Sequence, residues 1–330
     1  MSDRFTVRFW GVRGSYPVPG AATVQIGGNT PCVEVRAGEH TIFLDGGTGI
    51  ISAGHELVRR SQENNRPISA VILFSHTHHD HIQGIPYFAP AYIATSTLYL
   101  FGPRAVREQV EETLRRAMVP PNFPISLDDL RAVRIVRPLA ETEAIWLLPG
   151  HLEPQVKNVF RDPLTADENA VRVDVLKSYA HPQEGVYFYK ISYKGHAVVY
   201  ATDTEGYEGG DQRLIRFAQG ADLLIHDAQY TLEEYLNPVT SRQGWGHSTP
   251  EMALEVARAA GVRHLAFFHH DPAHDDAFLL EIEAQAQKQF PGAIMAREGL
   301  EINLLAEPAV PRRAHVQNAE KSTTSAGNKK

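Results

Sequence analysis

Ser75-His76-Thr77-His78-His79-Asp80-His81 follows directly on a short apolar run, residues 70–74, that reads as a β-strand. Within it, His76, His78, Asp80 and His81 form the pattern H-x-H-x-D-H, four cation-binding groups in six residues. Packing four such groups into a core with no cation would be costly. Alternation in an extended loop sends His76 and His78 the same way. The turn at Asp80 lets Asp80 and His81 face a second ion. Imidazole and carboxylate suit zinc, manganese or iron. The same alternation points His79 away and makes it a spectator.

One loop does not complete two metal sites, so further ligands are expected at other strand ends. Asp203 follows the apolar run 197–201 in Ala-Thr-Asp-Thr-Glu, His269 follows 265–268, and His181 precedes 186–193 in Tyr-Ala-His-Pro. Asp203 by itself reads equally well as a turn former; its company with the histidine motif favours a ligand. Two alternatives stay open. His270, next to His269, could be the last ligand, and His151 in Leu-Pro-Gly-His could replace His181.

The rest of the chain bounds the answer. It has 330 residues, 43% hydrophobic and 22% charged, with a net charge of −7 that argues against a protein built to coat nucleic acid. The single cysteine, Cys32, excludes an intrachain disulfide scaffold. No apolar run has the length of a membrane span, and residues 1–7 lack a signal-peptide layout, so a cytoplasmic location is expected. Strands are expected at 5–10, 32–36, 41–44, 70–74, 97–101, 186–193, 197–201, 222–225 and 264–268. Helices are expected at 50–60, 104–117, 250–260 and 273–289, the third with Thr249 as N-cap, Pro250 in its first turn and Gly261 after its end. The proline-rich 119–130 reads as a loop. The implied class is α/β (α+β), mixed sheets sandwiched by helices. Residues 1–305 read as one catalytic domain and 306–330 as a disordered tail.

With these residues in hand, the sequence resembles the metallo-β-lactamase-fold hydrolases across roughly residues 5–305. The resemblance implies an αββα sandwich of two mixed sheets. It also implies that His76, His78 and His181 hold one divalent ion and Asp80, His81 and His269 the other, with Asp203 between them. Zn²⁺ is the first choice, with Mn²⁺ or Fe²⁺ as alternatives. Leu44-Asp45-Gly46-Gly47-Thr48-Gly49 is similar to the family's Asp-Gly turn, whose Asp, here Asp45, would orient the site rather than bind metal.

Within that superfamily the phosphodiesterase branch typified by ribonuclease Z fits best. Gly246-His247-Ser248-Thr249 resembles its His-Ser-Thr motif before a helix. Ile225-His226-Asp227-Ala228 resembles its His-Glu-Ala, with Asp in place of Glu. A helix start favours phosphate oxygens, and Asp227 could orient His247 and keep it protonated. Ribonuclease Z itself is not expected. Its tRNA-gripping arm would lie between His181 and Asp203, where this chain has only 21 residues. The openings Trp10-Gly11-Val12-Arg13-Gly14-Ser15 and Gly27-Gly28-Asn29-Thr30 resemble stand-alone bacterial phosphodiesterases acting on cyclic nucleotides and cyclic phosphates.

The expectation is therefore a dinuclear-metal phosphodiesterase acting on a small phosphodiester, most plausibly a cyclic mono- or dinucleotide. A metal-bridging hydroxide would attack phosphorus, with Asp80, His247 and Asp227 catalytic. Arg13, Asn29, Ser248 and Thr249 are candidate substrate contacts, and Tyr16, Phe88, Phe123 and Trp245 candidate stacking surfaces. A thioester hydrolase of the glyoxalase II type and a tRNA 3′-processing endonuclease are the alternatives. The expected partner is a small-molecule phosphodiester, with no membrane and no bulk nucleic acid; a homodimer is compatible with the composition.

Overall fold

The computed structural model describes residues 3–104, 110–163 and 167–306. Of the expected tail 306–330, residues 307–330 lie outside the described residues, as do residues 105–109 of the expected helix at 104–117. The strands are β1 (Phe5–Gly11), β2 (Cys32–Ala37), β3 (His40–Leu44), β4 (Ser69–Leu73), β5 (Thr97–Pro103), β6 (Val133–Leu139), β7 (Glu143–Leu147) and β8 (Gln155–Asn158). They continue with β9 (Val171–Ser178), β10 (Val186–Tyr193), β11 (His196–Ala201), β12 (Leu223–Asp227), β13 (His264–Phe268), β14 (Ala293–Met295) and β15 (Glu301–Asn303). The helices are α1 (Gly49–Asn64), α2 (His79–Ile82), α3 (Val110–Ala117), α4 (Gln212–Ala218), α5 (Leu232–Tyr235), α6 (Pro250–Ala260) and α7 (Asp276–Gln289).

Among the described residues the strands form two mixed sheets. One runs β15-β1-β2-β3-β4-β5-β6 and the other β14-β13-β12-β11-β10-β9-β7-β8. Strands β3 to β6 are parallel, as are β11 to β14, and the remaining pairs are antiparallel. The apolar runs are continuous because the inner strands are covered on both faces. Val71 and Leu73 of β4 join the core between the sheets, while Ala70 and Ile72 face α1 with Ile50, Ala53 and Leu57. The second sheet meets the same inter-sheet core through Phe188, Tyr200, Ile225 and Phe267.

One expected helix starts later in the chain than the sequence suggested. α7 begins at Asp276 because Asp275 caps it, its side chain accepting from the Phe278 amide. Helix α6 keeps the expected bounds: the Thr249 side chain accepts from Met252, and Gly261 ends it with a positive φ of 62°. In both sheets the parallel strands end at one side of the sandwich. The loops that leave those ends meet there, where ligands of open α/β sheets characteristically bind.

Candidate metal centre

Each strand end delivers one part of the cluster. Asp45 follows β3, the His76–His81 loop follows β4 and runs into α2, Asp203 follows β11, Asp227 closes β12, and His269 follows β13. Asp45, Asp203 and His269 all have left-handed backbones, with φ of 63°, 52° and 63°. Non-glycine residues in that region are strained by about 1–3 kcal/mol and concentrate at functional sites. Here the conformation turns each side chain from the strand direction into the centre.

The structure brings His76, His78, Asp80, His81, His181, Asp203 and His269 together, and His247 and Asp227 beside them. Ligand atoms lie within 4.8 Å of one another in His76/His78/His181, in His76/His81/Asp203 and in Asp80/His81/His269. The Asp203 carboxylate touches all sides: 3.2 Å from His81 Nε2, 3.3 Å from His269 Nε2, 3.7 Å from His76 Nε2 and 3.9 Å from His181 Nε2. Asp80 Oδ2 is 3.2 Å from His269 Nε2 and accepts from the Ser15 amide at 2.9 Å. His79 is exposed and belongs to none of these groups.

The hydrogen bonds around the cluster fix which ring nitrogens are bare. Asp45 Oδ2 accepts from Ser75 Oγ, Tyr200 OH and His81 Nδ1, at 2.8, 2.7 and 2.8 Å. An ionised carboxylate only accepts, so His81 carries its proton on Nδ1 and turns a lone pair inward from Nε2. His269 Nδ1 donates to Gln229 Oε1 at 2.9 Å and His181 Nδ1 to the Gly246 carbonyl at 3.1 Å, with the same result. His76 Nδ1 donates to Ser75 Oγ, whose own proton goes to Asp45. Its Nε2 is buried with no hydrogen-bond partner. His81 Nε2 and His269 Nε2 lie 3.3 Å apart, each beside the Asp80 and Asp203 carboxylates, so both nitrogens face a position that favours positive charge. A divalent cation there would take both nitrogens and both carboxylates as ligands. This donor set fits divalent transition metals.

The local field agrees. Burial opposes charge on His81, yet Asp203, Asp80 and Asp45 outweigh it and hold its pKa well above the ordinary histidine value. Positive charge is what this pocket favours, as proton or as metal. At the less compensated side, burial lowers His181 to about 4. His247 is 8% exposed, and its Nδ1 lies 2.8 Å from Asp227 Oδ2. Burial works against its charge, but Asp227, then Asp203 and Asp80, raise its pKa to about 9. Asp227 itself is held by the amides of Asp203, Ser248 and Gln229.

Two open alternatives take other places. His270 is buried with Nε2 on the Ala296 carbonyl, its pKa lowered to about 3 by burial, and His151 is exposed; neither joins the cluster. The expected substrate contacts are corrected. Arg13 is fully buried and donates to the carbonyls of Gly27, Asp271 and His274, tying together loops behind the site. The Asn29 amide donates to Glu298. Ser248 is buried with its hydroxyl on the Thr204 carbonyl, and buried Thr249 caps α6. Phe88 packs in the core against Phe43, and Phe123 packs against Tyr87; Tyr16 and Trp245 are exposed. Sequence reasoning missed Ser75 and Gln229, which hold His76 and His269, and Tyr200, which holds Asp45 behind them. Gln229 carried one signal, its place two residues after Asp227.

The family described as Beta-lactamase superfamily domain matches residues 40–270, and the chain belongs to it. Its solved neighbours share the metallo-β-lactamase fold, and several of its relatives are named ribonuclease Z. It is 25% identical over 311 residues to ribonuclease Z of Thermoplasma acidophilum, covering 88% of this chain and 94% of that protein. It is 28% identical over 258 residues to ribonuclease Z of Metallosphaera sedula, covering 72% and 81%. Among solved structures, the metallo-β-lactamase-fold protein YhfI from Bacillus subtilis aligns with a TM-score of 0.61 at 20% identity, covering 91% of this chain and all of YhfI. The short form of human tRNase Z aligns with a TM-score of 0.56 at 18% identity, covering 91% and 99%.

Proposed function

We propose that the protein hydrolyses a small phosphodiester, with a cyclic nucleotide or other cyclic phosphate as substrate and zinc as the resident metal. The observation that carries this reading is His247, paired with Asp227 beside the cluster and just before the N-terminus of α6. A thioester hydrolase would have no use for it. His76, His78 and His181 would hold one ion and Asp80, His81 and His269 the other, with Asp203 shared. Bound there, the cations would supply Lewis acidity and a water of lowered pKa.

The chain's own groups then divide the proton work. As a water oxygen attacks phosphorus in line, Asp80 takes its proton. The bond from phosphorus to the leaving oxygen breaks, and His247 delivers its Nε2 proton there. Asp227 accepts from His247 Nδ1 and stabilises the imidazolium until that transfer. Asp45 keeps the His81 ring turned inward.

A second reading, tRNA 3′-end processing, is favoured by the relatives named ribonuclease Z. Against it stands the short connection between His181 and Asp203, which is filled by the hairpin of β10 and β11. Turnover of a panel of cyclic mono- and dinucleotides and a tRNA precursor, with added Zn²⁺ or Mn²⁺, decides between them. The small-diester reading expects much faster cleavage of the nucleotides, and efficient trimming of the precursor alone would overturn it.

A further inference from the structure

Beside His247 lies an arrangement that the mechanism above does not use. The Arg242 guanidinium carbon sits 4.4 Å from the centroid of the Trp245 ring and 5.5 Å from that of Tyr230. Tyr230 in turn packs edge-to-face on Trp245 at 6.5 Å and on His247 at 5.8 Å. Trp245 is 51% exposed, whereas Tyr230 is 4% exposed. The platform therefore reaches from the catalytic histidine to the surface.

The loop that carries it is held in place from the cluster side. Glu205, two residues after Asp203, accepts from the Gly244 amide at 2.7 Å, the Gly246 amide at 3.0 Å and Tyr235 OH at 2.6 Å. Gly246, next to Trp245, gives its carbonyl to His181. A Cβ at Gly246 would meet His181 Nδ1 at 2.4 Å, so the loop lies directly against the candidate ligand.

The Arg242 guanidinium forms no ion pair or hydrogen bond with the described residues and stacks on the two rings, while its backbone bonds to Tyr235 and Trp245. Stacking uses the face of a guanidinium and leaves its in-plane N–H fork open. Such a fork matches phosphate oxygens, and stacking orders it beforehand, so less freedom is lost when it binds. An arginine held this way, one aromatic ring away from the His247 that flanks the cluster, is arranged for a further phosphate.

We propose that Arg242, on its Trp245 and Tyr230 platform, is a specificity-determining residue that binds a second phosphate of the substrate. The preferred substrate is then a phosphodiester with a further phosphate beside the scissile one, rather than one with a single phosphate. This rests on the phosphodiesterase reading above.

The test compares Arg242→Ala and Arg242→Lys with the wild-type protein on matched substrates. One is a dinucleoside monophosphate, and the others are the same molecule with a 5′- or a 3′-terminal phosphate. Cyclic dinucleotide against cyclic mononucleotide forms a second pair, which separates linear from cyclic sources of the second phosphate. Binding of the phosphorothioate forms of the linear set is measured in parallel by calorimetry. For Arg242→Ala the expected result is a roughly 10- to 100-fold larger loss of kcat/KM and affinity on the two-phosphate members of a pair. The loss falls mainly in KM, and Arg242→Lys recovers part of it. Equal losses across each pair, or none, overturn the proposal. If the wild type cleaves no member, the phosphodiesterase reading fails. The binding comparison still decides the role of Arg242.

Discussion

Asp203 stands between imidazoles on both sides of the cluster while its own backbone is held left-handed. Asp203→Ala removes the carboxylate that would offset two neighbouring cations. Elemental analysis of purified Asp203→Ala is expected to find less than half the wild-type metal, whereas His79→Ala retains it. Full double occupancy in the Asp203 variant would end the assignment of that residue as the shared ligand. His247 makes a different demand. Its proposed work is done as the leaving oxygen gains charge, so His247→Ala should keep its metal and lose roughly 10²–10⁴-fold in kcat on an alkoxide-leaving diester. A nitrophenolate leaves with little need of a proton, and on such a diester the loss should be much smaller. Equal losses on both substrates would show that His247 positions the phosphate instead.

At the scale of elements, the centre is a meeting of loops, and Arg13 shows how they are secured. The chain after β1 pairs with the chain after β13: the Gly14 amide donates to the His270 carbonyl and the His270 amide to that of Val12. Arg13, from the same stretch, satisfies three buried or partly buried carbonyls on two other segments. Arg13→Ala leaves those carbonyls unpaired and is expected to destabilise the fold by about 2–5 kcal/mol. Chemical denaturation measures that loss. A substrate contact would behave oppositely, raising KM with stability unmoved.

The same residue explains where reading the sequence succeeded and where it stopped. H-x-H-x-D-H is legible because its four groups lie within six residues and need no fold to be seen together. Thr249, Pro250 and Gly261 are legible because capping is local chemistry. Arg13 beside a glycine gives no sign of which way its side chain turns, since that depends on residues more than 250 positions away. Strands β6 to β9 passed unread for another reason. β6 is an edge strand with Val133 and Ile135 exposed among arginines, and β9 alternates valines with charged residues. Neither forms the continuous apolar run that marks a strand covered on both faces. Tyr200 was hidden inside β11, where nothing separates a core tyrosine from one whose hydroxyl holds Asp45.

Taken whole, the cluster joins both sheets, with Asp45 and the His76–His81 loop from one and Asp203, Asp227 and His269 from the other. An ion held by such a cluster binds the folded chain and not the unfolded one. Each site filled at 100 times its Kd adds about 2.7 kcal/mol of stability. Chelation is therefore expected to lower Tm by roughly 4 °C per site, with recovery on adding zinc back. A Tm indifferent to chelator would count against resident metals.

The spread of these groups along the chain also gives the molecule an order in time. Six of the seven candidate ligands have been written by residue 203, yet Asp203 and His269 approach each other only when β13 has paired beside β12. A chain that stops before residue 264 owns most of the ligands and lacks His269, which completes the second proposed site. Fragments of that length are expected to bind zinc weakly and without fixed stoichiometry in calorimetry. Complete uptake then begins only when β13 has docked beside β12, and metal capture marks a late stage of folding rather than its start.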